Sequence, residues 1–150
     1  MGEVWSVNIG RNGVGKRKEG DGKTPSGLYS LNEVYGYETV DTPMPFYLSK
    51  EETLCIDDAA SRYYNRIVNS SQILKDYRSF EYMRRKDGLY EIVVTVGYNQ
   101  QNERGRGSCI FLHIADGERA TAGCVAMKRE QIEELVEWLD PKKRPVIVIE

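Results

Sequence analysis

A single histidine, His113, and three cysteines, Cys55, Cys109 and Cys124, are the side chains in this sequence best suited to proton transfer and nucleophilic attack near neutral pH. His113 stands eleven residues before Cys124, and Gly123 immediately precedes that cysteine. A free thiol with a pKa near 8.5 is only a few per cent thiolate at neutral pH, so it needs an imidazole or a positive field to become a ready nucleophile. Imidazole is the side chain whose ordinary pKa lets it shuttle that proton. A residue without Cβ before the nucleophile lets the chain turn sharply and lets backbone N–H groups converge on a developing oxyanion. The same atoms admit two other readings: a hydrogen-bonded core histidine, or a zinc site built from Cys109, His113 and Cys124 with Cys55 or an aspartate as fourth ligand. Four residues of extended strand place the Cα atoms of Cys109 and His113 about 13 Å apart, which is far for one metal. Gly10–Lys16 formally fits G-x4-G-K, but Arg17 stands where a Ser or Thr should reach magnesium, and no apolar-faced helix follows.

Several elements must position these groups. Ser108–Ile114 reads as a buried strand with Cys109, Phe111 and His113 on one face and Ile110, Leu112 and Ile114 on the other. Lys128–Leu139 carries apolar residues at 132, 135, 136 and 139, the stripe of one amphipathic helix, which Asp140-Pro141 ends. Leu89–Val96 and Val146–Ile149 are strand-like, and Thr24-Pro25-Ser26-Gly27 is a turn feeding a strand at Leu28–Leu31. Val4–Ile9 alternates enough to predict a strand. Tyr35–Tyr47, with two prolines, reads as irregular, Cys55–Asp58 and Tyr63–Val68 as loop and short strand, and Ser71–Arg85 as short helices or loop.

Composition narrows the function classes. The chain has 150 residues, enough for one domain with one core; it is 40% hydrophobic and 29% charged, as a soluble globular protein is. No run approaches the roughly 18 apolar residues of a spanning helix, and no N-terminal signal peptide is visible. A net charge of -2 with interspersed signs argues against nucleic acid as partner. An odd number of cysteines with no CxxC does not indicate a disulfide framework, so Cys55 and Cys109 read as small buried hydrophobes.

The order His, loop, Thr-x-Gly-Cys-Val, amphipathic helix, closing strand resembles the L,D-transpeptidase catalytic domain, the YkuD-type fold of bacterial cell-wall enzymes. Gly107–His113 followed by Thr121-Ala122-Gly123-Cys124-Val125-Ala126-Met127 is similar to the branch with a short loop before the nucleophile. Independently, Glu19–Tyr29, with its Thr-Pro-x-Gly turn, resembles the family's upstream signature. The similarity runs from about Ile9 to Ile149. It implies one mainly β, β-sandwich-like domain over residues 1–150, with one helix after the nucleophile and Cys124 and His113 facing a cleft. It further implies attack by Cys124 on a peptidoglycan stem tetrapeptide, with D-alanine released through a thioester acyl-enzyme, and no metal or cofactor. Gly123, Ala122 and Thr121 would surround the oxyanion. The main branch has His and Arg where this chain has Ala122 and Ala126, so Arg106 and Lys128 are the candidates for anchoring the substrate carboxylate. The resemblance also implies an extracytoplasmic location, against which the chain reads as N-terminally truncated or exported by another route.

Three rival functions follow from the same residues. Hydrolysis of the thioester would make the protein an L,D-carboxypeptidase. Ten tyrosines stacking on sugars would suit a non-catalytic peptidoglycan-binding module, although such residues also pack sheets. A cysteine peptidase of another fold is disfavoured by the order of His before Cys. Nothing in the sequence sets the oligomeric state, and a monomer is compatible with it. Cys109→Ser is expected to leave acyl-enzyme formation largely intact.

Overall fold

The computed structural model describes residues 2–150; Met1 lies outside the described residues. Its main sheet is built from β1 (Gly27–Gly36), β2 (Phe46–Leu48), β6 (Ile92–Val96), β7 (Phe111–Ile114) and β8 (Val125–Met127), in the order β2-β1-β6-β7-β8. The closing strand β9 (Val146–Ile149) pairs antiparallel with Gly27–Ser30 of β1. A smaller sheet, β4-β3-β5, is formed by β3 (Thr53–Ile56), β4 (Ile67–Asn69) and β5 (Phe80–Tyr82). The one helix among the described residues, α1 (Arg129–Trp138), follows β8.

β6 and β7 are apolar on both faces because both faces are covered. Toward one side, Val94, Leu112, Ile114, Val125 and Met127 pack with Ile132 and Val136 of α1 and with Leu139 just beyond it. Toward the other, Val93, Phe111 and Cys124 pack with Cys55, Met83, Tyr90 and Cys109. The smaller sheet thus covers the face opposite the helix. The predicted alternation of residues 109–114 is kept: odd positions face the smaller sheet and even positions face the helix. The helix matches its predicted stripe, and the Gln131 side chain accepts a 3.1 Å hydrogen bond from the Lys128 N–H at its start.

Five local expectations are corrected. Val4–Ile9 forms no strand: its ladder is a single bridge between Asn8 and Ala126, and Val4 is fully exposed, with no surface to bury against. Ser71–Arg85 contains strand β5 and only a short 3-10 turn at Ser70–Gln72. The segment 35–47 is irregular only between the end of β1 at Gly36 and the start of β2 at Phe46. Most consequential, Cys55 and Cys109 are joined in a disulfide, with Cα atoms 6.1 Å apart across a sequence separation of 54. Spacing alone could not reveal that β3 passes beside the entry to β7. Cys109 is held at φ 56, with its N–H donating to Asn65 Oδ1 at 3.0 Å, and a left-handed residue cannot continue an extended ladder. The strand predicted from Ser108 therefore begins at Phe111.

Candidate active site

β7 and β8 run parallel, with His113 opposite Ala126, so the bend before β8 sets Cys124 level with Phe111, two residues along β7 from His113. Both line one cleft of about 430 Å³, together with Thr121, Ala122, Tyr90, Glu81 and Arg85. The bend itself is tightly fixed. Gly123 has φ 154, and a Cβ there would lie 2.9 Å from the Lys23 carbonyl oxygen, so the position requires glycine. Thr121 Oγ1 accepts from the Gly123 N–H at 3.1 Å and donates to the Cys124 carbonyl at 2.6 Å. Behind the bend, the Lys16 side chain is 3% exposed and its ammonium contacts Asp21 Oδ1 at 2.8 Å. Burial alone would raise the Asp21 carboxyl, but bonds from Lys16 and from the N–H groups of Arg17, Lys18 and Lys23 hold it well below the usual range. The lysine of the Gly-rich loop thus has a structural partner in the loop's own aspartate.

Cys124 is the free cysteine, 8% exposed. Its Sγ accepts from the Phe111 N–H at 3.4 Å and donates to the Cys109 carbonyl at 3.3 Å. Burial, seconded by the Glu81 charge, pushes the thiol up to about 12 against the opposing pull of Phe111 N–H, Tyr90 and Lys16. His113 is 7% exposed, and its Nδ1 lies 2.8 Å from the Ile114 carbonyl, which makes Nδ1 the protonated nitrogen and leaves Nε2 as the base. A backbone carbonyl therefore orients the ring. Burial lowers the imidazole below its ordinary value, with the Ile114 carbonyl acting in the other direction. Both groups rest neutral at neutral pH, and the thiol hydrogen is engaged by Cys109 rather than by His113.

The Tyr90 ring packs on His113 with centroids 5.1 Å apart and meets Phe111 edge-on at 5.7 Å, while the Arg85 guanidinium lies 4.9 Å from the Tyr90 centroid. The Tyr90 hydroxyl donates to Glu81 Oε1 at 3.3 Å. Burial and the neighbouring Asp57 push the Glu81 carboxyl up to about 7, opposed by Tyr90 and Arg85. The buried thiol resists ionisation, so acyl transfer through this cysteine needs a base at the moment of attack, and the neutral imidazole, held in one tautomer with Nε2 unprotonated, is the group in the cleft able to supply it.

The family model described as the L,D-transpeptidase catalytic domain, YkuD, matches residues 2–148. The chain belongs to that family. Members of the YkuD family are cysteine-dependent enzymes, and membership implies a peptidoglycan substrate and, in general, an extracytoplasmic setting. The mainly β architecture, with two sheets and one helix among the described residues, agrees with it. Comparison with the curated proteins and with the solved structures finds no match. No helix among the described residues is long and apolar enough to cross a membrane.

The predicted site residues divide. Thr121, Ala122, Cys124 and His113 line the cleft, and Gly123 lines a smaller cavity of about 90 Å³ that shares Ala122 and Cys124 with it. Arg106 lies elsewhere, paired with Glu103 at 2.7 Å on the 99–107 loop and lining a groove with Tyr29. Lys128 is exposed at the start of α1, outside the cleft. The arginines that do line it are Arg11, Arg85 and Arg119. The disulfide removes Cys55 and Cys109 as thiolate ligands, so the zinc reading loses two of its donors. Sequence reasoning missed Glu81, Tyr90 and Arg85; the alternation Phe80-Glu81-Tyr82, which turns a carboxylate to the face opposite two aromatic rings, was the available signal.

Proposed function

We propose that this domain is an L,D-transpeptidase that acts on peptidoglycan stem tetrapeptides through a thioester on Cys124. The observation that carries this reading is the shared cleft of Cys124 and His113, with the imidazole tautomer fixed by Ile114 so that Nε2 is left as the base. As the stem peptide enters, the thiol hydrogen turns from the Cys109 carbonyl toward Nε2, and Sγ attacks the carbonyl of the L-centred residue while His113 takes the proton. Desolvation disfavours a resting thiolate, so proton transfer and attack proceed together. The Gly123 N–H is held by Thr121, which leaves the Cys124 amide as the oxyanion donor at the bend, a contact of a class worth about 3 kcal/mol in the transition state. Collapse of the intermediate breaks the C–N bond, and imidazolium protonates the departing D-alanine amine. Arg11, Arg85 and Arg119 supply positive charge for the donor's terminal carboxylate, a role that Arg106 and Lys128 cannot fill from outside the cleft. The Cys55–Cys109 disulfide supports an oxidising, extracytoplasmic location.

Intact-protein mass spectrometry after mixing with a carbapenem tests this. A single covalent adduct on Cys124 is expected, absent in Cys124→Ser and slowed by several orders of magnitude in His113→Ala. A protein that forms no adduct, or forms it elsewhere, is not this enzyme, and a wall-binding module would give that result. Product analysis with a stem tetrapeptide then separates cross-linking from trimming: release of D-alanine without any cross-linked dimer would identify a carboxypeptidase.

A further inference from the structure

β9 is an edge strand that pairs with β1 alone, at the margin of the main sheet opposite β8 and the Cys124 bend. Its register joins Tyr29 with Ile147 and Leu28 with Val148. Along an antiparallel pair, successive residues turn their backbone groups to alternate sides. The Leu31 N–H donates to the Pro145 carbonyl at 3.0 Å, whereas the Ser30 carbonyl accepts from the Gly97 N–H at 2.8 Å, on the other side of β1. Residues 145, 147 and 149 therefore face β1, and the N–H and C=O groups of Val146 and Val148 point away from it. No hydrogen bond engages those four groups among the described residues. The side chains are uncovered too. Val146, Val148 and Leu28 are 51%, 59% and 65% exposed, on the face opposite Tyr29, Ile147 and Ile149, which pack on the helix-side core. Natural sheets blunt such an edge with a charge, a proline or a bulge inside the strand. Val146-Ile147-Val148-Ile149 has none of these.

We propose that β9 pairs with β9 of a second copy of this chain, antiparallel about a two-fold axis at Ile147, which joins the two main sheets into one. With Ile147 opposite Ile147, Val146 of each copy faces Val148 of the other as a hydrogen-bonded pair, so all four open groups of each strand find partners. The same register gathers Leu28, Val146 and Val148 of both copies on one face, where each shields the others from water. Charge selects a second copy in this orientation. Arg144 precedes the strand and Glu150 follows it; both are exposed, and no ion pair engages either among the described residues. Antiparallel pairing about Ile147 sets Arg144 opposite Glu150 of the second copy at both ends. A parallel arrangement would set Arg144 beside Arg144 and Glu150 beside Glu150, which like-charge repulsion disfavours. The strand is thus complementary to itself in backbone, side chains and charge. β6 and β7 stand between β1 and β8 in the sheet order, so pairing at β9 leaves the Cys124 bend of both copies at the outer margins of the joined sheet. The inference is independent of the acyl-enzyme chemistry.

A short strand and three apolar side chains from each copy make a small interface, so monomer and dimer are expected to exchange at concentrations on the order of 100 µM. Sedimentation velocity of the full chain over a concentration series tests this: the average mass should climb toward twice that of the monomer. Over the same series, hydrogen exchange followed by NMR should show the Val146 and Val148 amides gaining protection as concentration rises. Val148→Lys, at an exposed position, is expected to weaken the dimer at least about tenfold by placing a charge against the apolar strip. Arg144→Glu and Glu150→Arg are each expected to weaken it about tenfold, because each sets like charges opposite one another at both ends. Combining the two reversals restores opposite signs, and the dissociation constant should return to near the parent value. Denaturant midpoints close to the parent's show that the variants keep the fold. A parent that stays monomeric throughout the series overturns the proposal, as would be seen if this edge receives a strand of a different protein. So does a dimer that Val148→Lys leaves unchanged, or one that the combined reversal fails to restore.

Discussion

Burial moves Cys124 and His113 in opposite directions on the pH scale, yet both shifts favour the neutral form. The thiol rises and the imidazole falls, so the resting pair is uncharged. This differs from a cysteine–histidine pair that rests as an ion pair, and it has a measurable consequence. The base form of His113 is the neutral ring, and its folded-state pKa lies below the ordinary 6.5. Protonation removes that base only once the pH falls through the lowered value. The acid limb of the acylation rate is therefore expected below 6.5, measured as the rate of adduct formation against pH with a carbapenem whose own charge is constant over the range. A midpoint at or above the ordinary imidazole value would show that the ring is not held neutral by burial. The motif around Cys124 was readable because the required glycine, the paired threonine and the histidine are local in sequence. Glu81 and Tyr90 were not, since Glu81 comes from a segment that reads as short helices or loop and Tyr90 from a strand-like segment whose pattern marks no site.

At the scale of elements, the disulfide changes what Cys109 is for. Its sulfur ties β3 to the segment entering β7, and its carbonyl accepts the thiol hydrogen of Cys124. The sequence reading treated Cys109 as a small hydrophobe whose replacement by serine would spare acylation, because no local pattern marks a partner 54 residues away. Chain-entropy reasoning for a loop of that separation gives about 4 kcal/mol as the stabilisation that the cross-link contributes. Cys55→Ser with Cys109→Ser is expected to lower stability by a large fraction of that amount, read from denaturant unfolding against the oxidised parent. Acylation is expected to slow as well, at temperatures where the fold persists, because the carbonyl that parks the thiol hydrogen is released from its anchor. A double variant as stable as the parent would mean that the bridge constrains nothing the rest of the fold does not already hold.

For the whole molecule, the sheets that meet at the site are held together differently. β1, β6, β7 and β8 share a ladder and a helix-covered core, and the amphipathic stripe and apolar strands of that half were legible in the sequence. The smaller sheet shares no ladder with it. Apolar packing apart, its attachments include the disulfide, the Tyr90 hydroxyl that donates to Glu81, the Tyr64 hydroxyl that donates to Glu19 at 2.8 Å and accepts from the Gly107 N–H, and Asn65, which bonds the backbone of Asn99 and Cys109. Those are long-range polar links between single residues, which no periodicity announces. A part held by side-chain packing and such links, without a shared ladder, opens more readily than a part inside a continuous ladder. Reduction of the disulfide is therefore expected to raise amide hydrogen exchange in β3, β4 and β5 well before that of β6 and β7, measured under native conditions by mass spectrometry of peptides. The smaller sheet carries Glu81 on β5 and Cys55 on β3, so the same treatment loosens one wall of the cleft while leaving His113 on its strand. Exchange that rises equally in both sheets would show that the domain opens only as one cooperative unit, and that the site's two walls are not independently held.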